Sequence, residues 1–204
     1  MFEFIEKVVY INLEDRPDRR AEIEDELAVF PKEKVVRFNA IREKNGNHGC
    51  SKSHIGALQM AADNGWENVL IMEDDCKWNK FETGYKILEQ LATKPYDVIS
   101  LGGLGGFIDE KTYKAHGFQT CTSYLVSKHY YPKLLNNFKS GLEKLIVEDV
   151  YHGINCIDQH WKLIQEEDSW FRILPHLVYQ RPSFSDINKK FVDYTGIRHF
   201  NITE

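Results

Sequence analysis

The chain has 204 residues, 42% hydrophobic and 28% charged, the proportions of an ordinary globular protein with one sizeable core spanning 1–204. With 26 basic against 31 acidic residues the net charge is −5, which speaks against general nucleic-acid binding and against a polybasic membrane patch. The four cysteines, Cys50, Cys76, Cys121 and Cys156, form no CxxC pair, so a zinc knuckle or dithiol redox centre is not expected, and reduced, buried thiols are.

MFEFIEKVVY carries charge within its first seven residues and does not read as a signal peptide. No apolar run approaches the ~18 residues of a membrane span. The expected location is therefore the cytoplasm, the host cytoplasm if the protein is viral. Asn201-Ile202-Thr203 matches a glycosylation sequon, which carries little weight without a secretory signal.

Val8–Leu13 (VVYINL) reads as a buried strand, followed by a helix capped at Asp15 with Pro17 in its first turn and Ile23, Leu27 and Phe30 on one face. A second strand is expected over Lys34–Asn39. A Gly/Asn-rich loop then leads to a helix that starts at Ser51 or Ser53 and stops at Gly65. Asn68–Glu73 is a strand, Phe81–Thr93 a helix and Tyr96–Leu101 a strand, closed by the loop GGLGG. Residues 118–127 alternate as a strand, 128–139 and 142–166 read as helices, and Phe171–Tyr179 as a last strand. Strands alternating with helices predict an α/β domain with a mostly parallel sheet, which binds ligands beyond the carboxyl ends of its strands.

The apolar run Val69–Met72 ends in three carboxylates, Glu73, Asp74 and Asp75. Two unit charges ~4 Å apart at an effective dielectric near 20 repel by about 4 kcal/mol. The groups must splay into water, take up protons or share a cation. If strand geometry continues, Glu73 and Asp75 share one side, suited to Mn²⁺ or Mg²⁺, and Asp74 takes the other. A solvated turn is the plainer reading of such a run.

In this order and spacing, INLEDRPDRR, GCSKSHIGAL, VLIMEDD and YDVISLGG resemble glycosyltransferase family 25, with LVYQRPSFSDI similar to its closing segment. The likeness runs from Tyr10 to about Ile187. That family includes lipopolysaccharide glycosyltransferases, collagen galactosyltransferases and viral relatives. The resemblance implies a GT-A fold and inverting transfer of a hexose, glucose or galactose, from a UDP-sugar donor to a hydroxyl acceptor on a glycan or glycoprotein. It also implies Mn²⁺ (or Mg²⁺) at the acidic motif, for which Glu73-Asp74-Asp75 is the matching position; strand alternation assigns the metal to Glu73 and Asp75 and leaves Asp74 to the donor's sugar hydroxyls or ribose. Two departures stand out. The pair before Gly49-Cys50 is Asn47-His48 where the family commonly carries an acidic residue, and the loop from Asn39 to Gly49 is short.

By the same resemblance, Asn12 and the arginines Arg16, Arg19 and Arg20 border the nucleotide. Ser53 and His54, at an expected helix start, would offer backbone N–H groups to an anion. For the base that takes the acceptor proton, VEDVYHGINCIDQHWKLI offers Glu148, Asp149, His152, Asp158 and His160. Asp158, expected on a helix beside Ile154, Ile157 and Trp161, is the choice, because apolar surroundings raise a carboxylate's pKa. Arg181, Ser183, Ser185 and Asp186, together with His176, are candidates to complete the diphosphate site. GGLGG lacks the GxGxxG register of a dinucleotide site. The competing classes are a carboxylate-based hydrolase of glycosides or phosphoesters and a non-catalytic carbohydrate-binding protein.

Overall fold

In the computed structural model the described residues are 2–79, 81–148 and 153–194. Asp149 and His152, and the sequon at 201–203, lie outside them. The fold starts from the two-residue period of buried strands. In β1 (Lys7–Asn12) Val8 and Tyr10 enter one apolar cluster while Val9 and Ile11 enter another. The chain continues through α1 (Pro17–Glu26), β2 (Val35–Asn39), α2 (Gly46–Asn64), β3 (Asn68–Glu73), β4 (Cys76–Trp78) and α3 (Phe81–Ala92). Then come β5 (Val98–Ser100), β6 (Phe107–Ile108), β7 (Ala115–His116), β8 (Ser123–Ser127), α4 (Tyr131–Glu148) and α5 (Ile157–His160). Four short strands close the described chain, β9 (Trp170–Arg172), β10 (Val178–Gln180), β11 (Ser183–Ser185) and β12 (Lys190–Val192).

The central sheet has the order β2-β1-β3-β8-β5-β9. β1 runs parallel to β2 and β3, and β5 to β9, while β8 is antiparallel to both its neighbours. Helices cover both faces. Ala57 and Leu58 of α2 and Leu134 and Phe138 of α4 pack on Val9, Val69 and Val126. Ile23 of α1 and Leu88 and Leu91 of α3 pack on Val8, Leu70 and Leu125. The expected α/β architecture with a mostly parallel sheet is thus present. Among the described residues no helix is long and apolar enough to cross a membrane.

Several boundaries differ from the expectation. Asp15 does not cap α1; Arg16 is the N-cap residue, with no side-chain cap bond, and Asp15 pairs with Arg42 at 2.7 Å. Neither Ser51 nor Ser53 starts α2, which begins at Gly46 under Asn45, whose side chain accepts from the Asn47 N–H at 3.1 Å. Glycine is a poor helix former by about 1 kcal/mol against alanine, so the run reads locally as a loop. Tertiary contact decides otherwise. A Cβ on Gly49 would stand 2.5 Å from the Ile41 carbonyl oxygen, so only glycine lets the 41–43 segment lie on α2. Gly49→Ala is expected to destabilise the protein by about 1–3 kcal/mol, read as a lowered denaturant midpoint; an unchanged midpoint would show that this contact is not needed.

The two expected helices over 128–139 and 142–166 are instead α4, unbroken through Gly141, and the short α5. A Cβ on Gly141 would meet the His160 ring at 2.8 Å, so this glycine marks where α5 docks rather than where α4 ends. The expected last strand is two, β9 in the main sheet and β10 paired with β4, separated by the turn at Pro175.

Candidate functional site

A cleft of about 700 Å³ opens beyond the carboxyl ends of β1 and β3. Into it face Glu73, Asp74, Asp75, His54, Asp158 and Asp186, from segments far apart in the chain. Ser53, Ser185 and Arg19 also line it.

β3 stops at Glu73, and Asp74 and Asp75 form the turn into β4. The expected strand alternation therefore ends two residues early, and Asp74 does not take the opposite side: all three acidic residues line the same cleft. Arg19 is what makes this tolerable. Its guanidinium donates to Asp74 Oδ1 at 2.8 Å and lies 3.6 Å from Asp75 Oδ2. Asn12 donates to Asp74 Oδ2 at 2.8 Å, and Gln180 to Asp75 Oδ2 at 3.3 Å. Asp75 Oδ1 is buried with no hydrogen-bond partner among the described residues. Burial, reinforced by the charges of Glu73 and Asp74 and opposed by Arg19, pushes the Asp75 carboxyl up to about 8. Burial also raises Asp74, with Arg19 and Asn12 working against it. An unpartnered buried carboxylate oxygen beside two further carboxylates is a donor set that fits a hard divalent cation.

Of the arginines, Arg19 lines the cleft but is committed to Asp74, Asp75, the Ser183 hydroxyl (2.6 Å) and the Phe184 carbonyl (3.2 Å). Arg16 does not line it; it pairs with Asp18 at 2.8 Å and with Asp186, and so ties the 183–186 segment to the start of α1. Arg20 is not brought to the site. It pairs with Glu24 at 2.8 Å one helical turn on, because the i,i+4 neighbour is on the solvent face. Asn12 is buried behind Asp74 and positions it.

Ser53 and His54 sit inside α2, not at its start, so their N–H groups are spent within the helix and offer no anion site. The Ser53 hydroxyl accepts from the Ile41 N–H at 2.8 Å and donates to the Gly49 carbonyl at 2.6 Å. His54 contributes its ring instead, with Nδ1 2.8 Å from the Tyr124 hydroxyl and Nε2 3.3 Å from Glu73 Oε1.

Asp158 lies in the single turn of α5. Ile157 and Trp161 are buried beside it, but Ile154 is 79% exposed and does not pack there. Its Oδ2 accepts from the Thr120 N–H at 3.2 Å. Burial raises its pKa above the ordinary carboxylate range against the lowering effect of that bond, and the Glu73 charge adds to the rise. Arg181 turns away to Glu26 at 2.9 Å, and His176 lines a neighbouring cavity of about 340 Å³ rather than this cleft.

Sequence reasoning missed Arg42, Gln180 and Cys50, all of which line the cleft. Arg42 follows β2, at the carboxyl edge where ligands bind, and Cys50 stands one helical turn before His54; both signals were readable. Gln180 had none, since it arrives through the β10–β4 pairing.

No protein-family description matches the sequence, and no characterised protein matches it at the level of sequence. At the level of structure, the chain superposes on a glycosyltransferase involved in the glycosylation of the major capsid of PBCV-1. The TM-score is 0.51 at 10% identity, covering 83% of this chain and 81% of that one. A looser superposition, TM-score 0.46 at 12% identity over 82% of this chain and 72% of the other, relates it to a mannose-1-phosphate geranyltransferase from Thermus thermophilus. The first of these shows a shared α/β fold, and neither gives support to family 25 in particular.

Proposed function

We propose that the protein is a metal-dependent glycosyltransferase that moves a hexose from a UDP-sugar to a hydroxyl acceptor, with inversion, as the resemblance to family 25 implies. One observation carries this reading: the acidic turn Glu73–Asp75 and the raised-pKa carboxylate Asp158 share one cleft at the sheet's carboxyl edge. The glycosyltransferase fold of the PBCV-1 protein supports it.

Glu73 and Asp75 are the residues we assign to a divalent cation, Mn²⁺ or Mg²⁺, which when bound supplies positive charge to the donor diphosphate. Arg19 and Asn12 hold Asp74 and Asp75 at the cleft wall. Asp186 and Ser185, held over the cleft by Arg16 and Arg19, border the donor. Asp158 accepts the acceptor hydroxyl's proton at its carboxylate, with the Thr120 N–H holding Oδ2. The acceptor is a glycan or glycoprotein hydroxyl, and the chemistry suits the cytoplasm, where UDP-sugars are made.

A melting scan with UDP, Mn²⁺, both and neither tests the reading. The shift with both present should exceed the sum of the separate shifts, because each ligand binds more tightly to the folded protein in the presence of the other. No shift with UDP under any metal condition counts against a transferase. It would favour a hydrolase indifferent to UDP or a purely carbohydrate-binding protein.

A further inference from the structure

The part of the cleft floored by α2 contains donor atoms unlike those of the acidic turn. Cys50 and His54 stand four residues apart, on one face of α2, facing the end of β3. Cys50 Sγ, a ring nitrogen of His54 and a Glu73 carboxylate oxygen all lie within 4.8 Å of one another. We propose that these three side chains bind a borderline-soft divalent cation of the zinc class, in three-coordinate fashion, with the fourth position open to the cleft.

Three observations carry this. Two ligands at about 2.0–2.1 Å from a tetrahedral metal stand about 3.3–3.4 Å apart, and His54 Nε2 is 3.3 Å from Glu73 Oε1. The other ring nitrogen, Nδ1, is 2.8 Å from the Tyr124 hydroxyl, placed where an outer-sphere hydrogen bond holds the ring of a ligating histidine. In the tautomer with Nδ1–H donating to Tyr124, Nε2 turns its lone pair to the Glu73 carboxylate, and a cation between the two satisfies both; in the other tautomer the Nε2–H donates to Glu73 directly. Thirdly, Asp75 contributes an unpartnered, nine-tenths buried carboxylate oxygen to the same cleft, so the surroundings favour positive charge.

Three protein ligands with one open position is the pattern of catalytic rather than structural zinc. Thiolate and imidazole prefer zinc-class cations to Mg²⁺ or Mn²⁺. Loading releases one proton, from the Cys50 thiol, to solvent as the sulfur–metal bond forms. The site shares Glu73 with the Mn²⁺ or Mg²⁺ position above, so a zinc-class cation would antagonise donor binding that depends on the harder metal. The inference rests on the acidic turn as a cation site, with Asp75 a neighbour of the metal rather than a ligand, and not on sugar transfer.

Titration of the full, reduced chain with CoCl₂, followed by absorption, tests it without reference to turnover. The expected result is one Co²⁺ per chain with tetrahedral d–d bands and a thiolate-to-cobalt band. Zn²⁺ should displace it, and tenfold excess Mn²⁺ should not. Cys50→Ser should abolish the thiolate band and weaken Co²⁺ at least about tenfold, and His54→Gln should weaken it similarly, both variants being checked for an unchanged melting transition. Because Cys121 and Cys156 also line the cleft, Cys156→Ser serves as the control and should keep the band, as should Asp75→Asn. Absence of a thiolate band in the unmutated chain, or its survival in Cys50→Ser, overturns the proposal. Loss of UDP turnover with the band intact would overturn the transferase reading alone.

Discussion

Asp158→Asn is expected to lower transfer by about 10²- to 10⁴-fold, the range of a lost general base, while the UDP-dependent melting shift survives. Asparagine keeps an oxygen to accept from the Thr120 N–H, the bond Asp158 Oδ2 makes at 3.2 Å, so the loop at Thr120 stays held. That matters because Thr120 has φ +86°, a left-handed conformation unusual for threonine, and an untethered loop would relax. A merely structural aspartate predicts near-normal turnover in the asparagine variant; Asp158→Ala, which drops the bond as well, then separates the two roles. The unmutated enzyme carries a further signature. Burial raises the Asp158 pKa, and catalysis needs the carboxylate, so activity falls as pH drops through that raised value, and the limb assigned to Asp158 should vanish in Asp158→Asn. The stability effect has the opposite sign. A carboxyl whose folded-state pKa exceeds its unfolded value contributes stability below the unfolded pKa and loses it as pH rises through the folded one. Asp158→Asn therefore flattens that part of the stability profile. Turnover within a few-fold of the unmutated enzyme would move the search to another base.

Arg19→Met is the substitution expected to cost most in stability, about 3–5 kcal/mol, the range for breaking a buried ion pair from one side. The arginine side chain is only 12% exposed, and Asp74 and Asp75 side chains 9% and 12%. Removing the guanidinium leaves two neighbouring carboxylates facing each other and Glu73 across a short turn. It also frees the Ser183 hydroxyl and the Phe184 carbonyl, so the segment that carries Ser185 and Asp186 loses an anchor. The measurement is the denaturant midpoint at unchanged slope. Adding Asp74→Asn to Arg19→Met should recover part of the loss, because the uncompensated charge is the main penalty, and the two substitutions should be non-additive. A loss below about 1 kcal/mol would mean the carboxylates are relieved by water rather than by Arg19.

The fold and most of the cleft were legible from local patterns. Four-residue apolar runs at Val8–Ile11 and Val69–Met72 read as strands buried on both faces, and the helical stretches between them return the chain for parallel pairing. A parallel sheet in turn places whatever follows Asn12 and Met72 at one edge, which is why Glu73, Asp74 and Asp75 fall at the same edge as the start of the first helix on the residue pattern alone. What failed were the readings that depended on a single local signal. Gly46, Gly49 and Gly141 look like breaks, yet all three are helical: Gly49 and Gly141 admit a neighbour (Ile41 or His160) too close for a Cβ, and Gly46 lies tightly against Ile187. Arg20 looks equivalent to Arg19 in sequence, but a helix turns ~100° per residue, and that rotation separates a buried guanidinium from one paired on the surface.

The sequence by itself determined the strands, the helices that cover them and the carboxyl edge at which three acids collect, since burial period and strand direction are local consequences of residue pattern. Only the tertiary structure decided which partners meet those acids: Arg19 and Asn12 against Asp74, Gln180 against Asp75, His54 against Glu73. These contacts join positions from 19 to 105 residues apart. Their geometry is set by how helices and closing segments pack on the sheet, which no local pattern of side chains specifies.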